Sequence, residues 1–342
     1  MSAIPEVRDQ SAAYALLDLI QGAVITQAIS VAAKLGIADV LRDGPLPAEE
    51  IAKRVGSDPD ATYRLLRALS GYAVFAVQPD GRFRLTPIGD ALREDAPDSM
   101  RPMAMLMGHP LLREEWGHLL SSVGTGEPNL PKLRGMGAYD FFMANPEYAP
   151  VFFQAFGGLS LSETDPVLAA YDFSRFGTIV DVVGGRGNLL AGILSQAPES
   201  RGVLYDSEQA TVDSPSLFAE TGVGERVTIE TGGHFDKLPA GGDAYVVKHI
   251  IHDFTESDCL TFLKNVREAI SPDGKLLVIE YVLDGNNERH LGNIIDLWLL
   301  LMLGARERTQ AQYTELFAKA GLKVTRVIPT TAPISIIEAI PV

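Results

Sequence analysis

From about residue 177 onward, short apolar runs of strand character alternate with stretches of helical period. The runs are TIVDVV, GVLY, RVTIE, AYVVK and KLLVIEY, and each is followed by a helix-compatible segment. No other feature constrains the fold as tightly. Strands joined through helices run parallel, and a parallel sheet is buried only when helices cover both faces. The expected architecture is α/β. The closing run, LKVTRVIPTTAPISIIEAI, holds two strand stretches with no helix between them, which predicts an antiparallel pair at the sheet edge.

The remainder of the chain reads differently. Residues 11–41 are helical, with little turn chemistry before Gly36. PAEEIAKRVG is a short helix closed by Gly56, and Asp58 to Asp60 can cap a second helix, ATYRLLRALSG. YAVFAVQPDGRFRLT predicts a hairpin around Pro79, Asp80 and Gly81. Two helices and a hairpin in this order make a winged-helix module, which serves either DNA binding or dimerisation. Residues 101–170 are mostly helical and rich in methionine and aromatic side chains, which pack cores and also line pockets for flat apolar ligands. Three segments result: a winged-helix domain at 1–100, a helical linker at 101–170 and an α/β domain at 171–342.

Charge and composition exclude several classes. A net charge of −15 without any basic patch repels a phosphate backbone, so nucleic acid is not an expected partner. Cys259 is the sole cysteine, which leaves no disulfide framework and no cysteine-rich metal site. Met1 to Gln10 lacks a basic region followed by an apolar core, so no signal peptide and a cytoplasmic location are expected. The apolar stretch after Ala15 is interrupted by Asp18, Gln21, Gln27 and Lys34. It reads as too polar to span a bilayer and better suited to a core or a subunit interface.

In a doubly wound sheet, ligands bind beyond the carboxyl ends of the strands. The turn DVVGGRGN follows the first strand there, and its glycines let a ligand approach the backbone. The dinucleotide fingerprint G-x-G-x-x-G fails, because counting from Gly185 brings Leu190 to the last glycine position. Asp206 ends the second strand, where a carboxylate can accept both ribose hydroxyls of a nucleoside. In DAYVVKHIIHDF, His252 follows a strand end within one turn and can serve as a general base, since free imidazole titrates near pH 6.5. Glu280 ends the next strand and Glu307 lies in GARERT after a helix. Two carboxylates near one imidazole can fix its tautomer and stabilise its charged form. No histidine pairs with a carboxylate at zincin-like spacing, and no metal is expected.

The segment VVKHIIHDFTESDCLTFLKNVREAISPDGKLLVIE, with LGARERT, resembles the catalytic block and acidic motif of small-molecule O-methyltransferases that use S-adenosylmethionine. These are the plant caffeate type and their bacterial polyketide-tailoring relatives, and the likeness spans nearly the whole chain. It implies a Rossmann-like domain with a mostly parallel seven-stranded sheet, preceded by a winged-helix dimerisation domain that forms a homodimer. By resemblance, His252 is the base and Glu280 and Glu307 are the acids flanking it. Ser160, Asp181, Val183, Gly185, Gly187, Asp206, Gly233, His234 and Lys248 take the cofactor-binding positions. Met107, Trp116, Phe142, Phe156, Trp298 and Met302 fall where a small aromatic substrate would lie.

Two positions depart from the family pattern. Val183 replaces the first glycine of D-x-G-x-G-x-G, where a β-branched side chain is expected to hinder the cofactor or shift the loop. Gly233 replaces an acid that accepts from the adenine amino group, and His234 beside it can stack on adenine instead. Losing one charge-assisted hydrogen bond costs about 1.5–3 kcal/mol. The main expectation is O-methyl transfer to an aromatic or polyketide-like hydroxyl. The alternative is a relative that keeps the fold but catalyses hydroxylation, decarboxylation, or a pericyclic or isomerising step.

Overall fold

The computed structural model describes residues 11–285 and 288–342. Met1 to Gln10, read above for a leader, lie outside the described residues. The chain divides into two compact units, one of Met1–Gly117 with Phe142–Leu159, the other of His118–Phe141 with Ser160–Val342. The helical stretch 101–170 is thus shared between them.

The first unit opens with helix Ala12–Lys34. A short helix Ala48–Val55 ends at Gly56, which takes the left-handed conformation a closing glycine provides. Asp58 caps helix Pro59–Ser70 by accepting a 2.8 Å hydrogen bond from the Ala61 amide. Phe75–Val77 and Phe83–Leu85 pair antiparallel around Gly81, at φ +84°, as the turn sequence demands. Ile37, Leu41, Ile51, Leu66, Leu69, Phe75 and Phe83 form the core of this module.

Helix Ala12–Lys34 corrects one expectation. It is long and apolar enough to cross a membrane by length and composition, with a mean hydropathy of 1.6 over its most apolar window. Asp18 is its only charge before Lys34, and the uncharged glutamines weigh little against the leucines, isoleucines and valines. Nor does most of it enter the core. Only Ser30, Ala32 and Ala33 are buried, whereas Tyr14, Leu16, Leu17, Leu19, Ile20 and Val24 are exposed within the single chain.

The second unit is built on seven strands: β1 Thr178–Val182, β2 Arg201–Asp206, β3 Val227–Thr231, β4 Ala244–Lys248, β5 Lys275–Glu280, β6 Leu322–Pro329 and β7 Ser335–Pro341. Their spatial order is β6-β7-β5-β4-β1-β2-β3. The first five run parallel, and β7 enters antiparallel between β5 and β6. The expected antiparallel pair does close one side of the sheet, with β6 outermost. Along β4 the alternation sends Tyr245 and Val247 into one core and Ala244 and Val246 into the other. Helix Glu256–Ala269 covers the first face through Cys259, Phe262, Leu263 and Val266, and helix Asn188–Gln196 covers the second through Leu190, Ile193 and Leu194. The strand order reverses between β1 and β4, so the ends of β1, β2, β4 and β5 open onto one crevice.

Candidate active site

The glycine turn leaves β1 at Val183. This valine sits in the left-handed region at φ +58°, where a β-branched residue is strained by about 1–2 kcal/mol. Its amide donates to the Tyr205 carbonyl at 2.7 Å, and its side chain packs against the sheet core. The valine therefore adopts the conformation that a glycine would take freely. Gly184 is required: a Cβ there would stand 2.4 Å from Asp181 Oδ2 and 2.7 Å from Leu204 Cδ1. Gly187, at φ +89°, leads directly into helix Asn188–Gln196.

Asp206 receives the Gly185 amide on Oδ2 at 2.8 Å and the Ser207 amide on Oδ1 at 2.6 Å. This fixes the carboxylate beside the turn. Asp181 is buried, and its Oδ2 has no hydrogen-bond partner among the described residues. Burial, with Asp206 nearby, pushes its carboxyl up to about 7. Lys248 Nζ donates to the Ser160 carbonyl at 2.6 Å and to Ser160 Oγ at 2.7 Å, so two expected cofactor residues meet. Gly233 is not simply an empty position. Its amide donates to Asp236 Oδ2 at 2.7 Å, and its carbonyl accepts from the Tyr205 hydroxyl at 3.1 Å. The His234 ring lies 5.8 Å from that of Phe254.

These features fit S-adenosylmethionine. Gly185 leaves open space over the backbone of the turn, Asp206 retains lone pairs for ribose hydroxyls, and the orphaned Asp181 oxygen suits a cationic group.

At the other side of the crevice, His252 Nδ1 lies 2.7 Å from Glu307 Oε1, and both residues are buried. Glu280 hydrogen-bonds the backbone rather than the ring. Its Oε1 accepts from the amides of Ile250 and His252, each at 3.1 Å, and its Oε2 accepts from the Tyr313 hydroxyl. The Glu307 amide donates to Asp296 Oδ1 at 2.8 Å. Arg308 donates to the Ile251 carbonyl and to Cys259 Sγ, tying the His252 segment to helix Glu256–Ala269. His252 Nε2 faces Asp253 Oδ1 at 3.6 Å. Burial works against charge on His252, but Asp253, Glu307 and Glu280 outweigh it and lift its pKa to about 10. Burial lifts Glu307 to about 7, against the pull of His252. The two shifts belong to one shared proton, which we place on the imidazole because the ion pair is in direct contact. Donor atoms of His252, Glu280 and Glu307 come within 4.8 Å of one another, but the hydrogen bonds just described already engage both oxygens of Glu280.

Other residues were not legible in advance. Glu163 is buried and bonds His249 Nε2 at 2.7 Å, Lys248 Nζ at 3.0 Å and the Tyr281 hydroxyl at 3.2 Å. His249 and Tyr281 adjoin two recognised residues, Lys248 and Glu280, and this adjacency was the available signal. Of the expected substrate residues, Met107, Trp116, Phe142 and Phe156 belong to the first unit. There Phe142 and Phe156 flank Phe152, at 4.4 and 4.8 Å between ring centroids. Trp298 and Met302 belong to the second unit and are buried on helix Leu291–Leu303, which leads to Glu307.

Comparison with known proteins identifies the family of the chain. Residues 116–323 match the O-methyltransferase domain family, and residues 17–95 match the O-methyltransferase dimerisation domain. The chain is 39% identical over 327 residues to phenazine O-methyltransferase PhzM of Lysobacter antibioticus, covering 96% of each chain. It is 35% identical to the O-demethylpuromycin-O-methyltransferase of Streptomyces alboniger, covering 96% of this chain and 89% of that one. Among solved structures, the mitomycin 7-O-methyltransferase MmcR superposes with a TM-score of 0.87 at 33% identity, over 97% of this chain and 98% of that one. The chain belongs to the S-adenosylmethionine-dependent O-methyltransferase family.

Proposed function

We propose that the protein methylates a hydroxyl of a small aromatic or polyketide-like natural product, with His252 taking the hydroxyl proton. The observation that carries this reading is the 2.7 Å contact between His252 Nδ1 and Glu307. Glu307 accepts the Nδ1 hydrogen, so the lone pair of the neutral ring lies on Nε2. S-adenosylmethionine, when bound, supplies an electrophilic methyl on a sulfonium. A phenol loses its proton only near pH 10, so a base beside it raises its ionised fraction at neutral pH. The imidazolium is favoured in the isolated chain at neutral pH, and a bound cation lowers that preference by repulsion. Glu280 holds the backbone of His252 in place.

Asp206 is proposed to receive the ribose hydroxyls, and Gly185 and Gly187 to admit the cofactor to the backbone. Val183, Asp181, Ser160 and Lys248 would surround its methionine end, with Gly233 and His234 on the adenine side. Relatives named for phenazine and mitomycin substrates support an aromatic acceptor. Met107, Trp116, Phe142, Phe156, Trp298 and Met302 are proposed contacts for it, by resemblance alone.

Calorimetry with S-adenosylmethionine and S-adenosylhomocysteine, followed by methyl transfer to hydroxylated phenazines and naphthoates, tests this reading. Micromolar binding with transfer that vanishes in His252→Ala supports it. Binding without consumption on any acceptor would overturn it in favour of a non-methylating relative.

A homodimer through the first unit is also proposed, supported by the dimerisation-domain match and the exposed apolar face of helix Ala12–Lys34. Light scattering should give roughly twice the 36.9 kDa chain mass, and a monomer mass would overturn the proposal.

A further inference from the structure

His249 has no task in the mechanism above, yet it is unusually constrained. Its backbone is left-handed at φ +55°. Its ring lies nearly parallel to that of His252, with 23° between the planes and 5.3 Å between the centroids, and it also tilts against Tyr281 at 5.3 Å. His249 Nε2 meets Glu163 Oε2 at 2.7 Å, and Glu163 is held in addition by Lys248 and the Tyr281 hydroxyl. Burial opposes charge on Glu163, but the bonds from His249 and Lys248 prevail and keep it below the ordinary carboxylate range. An anionic carboxylate needs a hydrogen from Nε2, and a neutral imidazole has only one N–H. Burial depresses the proton affinity of His249, despite the hydrogen bond to Glu163, and so keeps the ring neutral. Nδ1 is therefore a bare acceptor. It is buried, and no described residue donates to it. Glu307 Oε2, on the carboxylate that contacts His252, is a second buried acceptor without a partner among the described residues. Such atoms are rare and are ordinarily met by ordered water or by a ligand.

We infer that His249 is a specificity-determining residue whose Nδ1 accepts a hydrogen bond from a second hydroxyl or amino group, adjacent on the acceptor ring to the hydroxyl that is methylated. The inference rests on the aromatic-acceptor reading above. A vicinal diol or aminophenol carries two donors a few ångströms apart. One would serve His252 Nε2, and the other would satisfy His249 Nδ1. Glu163 sets the preference by fixing the tautomer, which makes the position select donors over acceptors.

The test compares 2,3-dihydroxynaphthalene with 2-naphthol. Binding to protein loaded with S-adenosylhomocysteine is measured by calorimetry, and turnover is measured with S-adenosylmethionine. The diol should be preferred by about tenfold or more in wild type, beyond the factor of about two that statistics give a second equivalent hydroxyl. His249→Phe keeps a flat ring against His252 but has no nitrogen, and should bring the ratio to within about twofold. Glu163→Gln, whose amide can donate to Nε2, should weaken the preference as well. If His249→Phe fails to fold, the wild-type ratio and the Glu163→Gln ratio decide. A wild-type ratio near one, or a preference that His249→Phe preserves, overturns the inference and leaves Nδ1 to water. In that case, methylation of 2-naphthol that depends on His252 still upholds the proposed function. If neither compound binds or turns over, the aromatic-acceptor reading fails and the inference falls with it.

Discussion

Glu307 Oε1 lies 2.7 Å from His252 Nδ1, although 55 residues of chain separate the two. The carboxylate fixes the tautomer of the ring and raises its basicity, while Glu280 secures the backbone beneath it. Removing the ring should therefore cost more than neutralising its partner. His252→Ala is expected to lower kcat by about 10²–10⁴-fold, and Glu307→Gln by a smaller factor, with cofactor affinity nearly unchanged in both. Steady-state kinetics with calorimetry on the same samples would check this. Equal kcat for His252→Ala and wild type would remove the ring from the mechanism.

The same pair should shape stability against pH. His252 has its pKa raised to about 10 in the folded chain, from an unfolded value near 6.5. A raised pKa means the folded state binds the proton more tightly. Its contribution is complete below about pH 6.5 and is lost as pH rises toward 10. Urea denaturation should show wild type losing on the order of 2–4 kcal/mol more across that window than the double variant His252→Phe/Glu307→Gln, which removes both groups that share the proton. Parallel losses in the two proteins would contradict it.

The glycine turn yields two opposite expectations. Gly184→Ala sets a Cβ 2.4 Å from Asp181 Oδ2, so the turn must move, and S-adenosylhomocysteine should bind at least about tenfold more weakly. Val183→Gly accepts the positive φ without strain, and should bind that ligand at least as well as wild type. Calorimetry on both variants is the check. Weaker binding by Val183→Gly would show that the valine side chain itself holds the cofactor.

Tyr313 donates from a buried hydroxyl to Glu280, whose other oxygen receives the amides of Ile250 and His252. Tyr313→Phe leaves one carboxylate oxygen without that donor. A loss of about 1–3 kcal/mol in urea denaturation is expected, with a fall in kcat as the His252 segment loosens. Unchanged stability together with unchanged kcat would mean that Glu280 does not depend on the tyrosine.

The sequence by itself determined the local elements. Short apolar runs with helices between them specified the parallel sheet, and Pro79-Asp80-Gly81 and Gly56 specified a hairpin and a helix end. Such patterns act through nearest neighbours and one face of one element, so they can be read without partners. His252, Glu280 and Asp206 were nameable because strand ends in such a sheet share a crevice, and Glu307 because LGARERT resembles the family's acidic motif.

Only the tertiary structure decided which of these groups touch. Glu163 reaches His249 across 86 residues, and Glu280 turns to the backbone of His252 while Glu307 takes the ring. Val183 accepts a glycine's conformation because its amide is bound to Tyr205 and its side chain finds the sheet core. The apolar residues of helix Ala12–Lys34 read as core or as subunit interface, and within the chain most of its large ones are exposed. Hydropathy records that a surface must leave water, but not what it packs against. That choice, like the meeting of distant polar side chains, depends on strand order and on how the helices lie across the sheet.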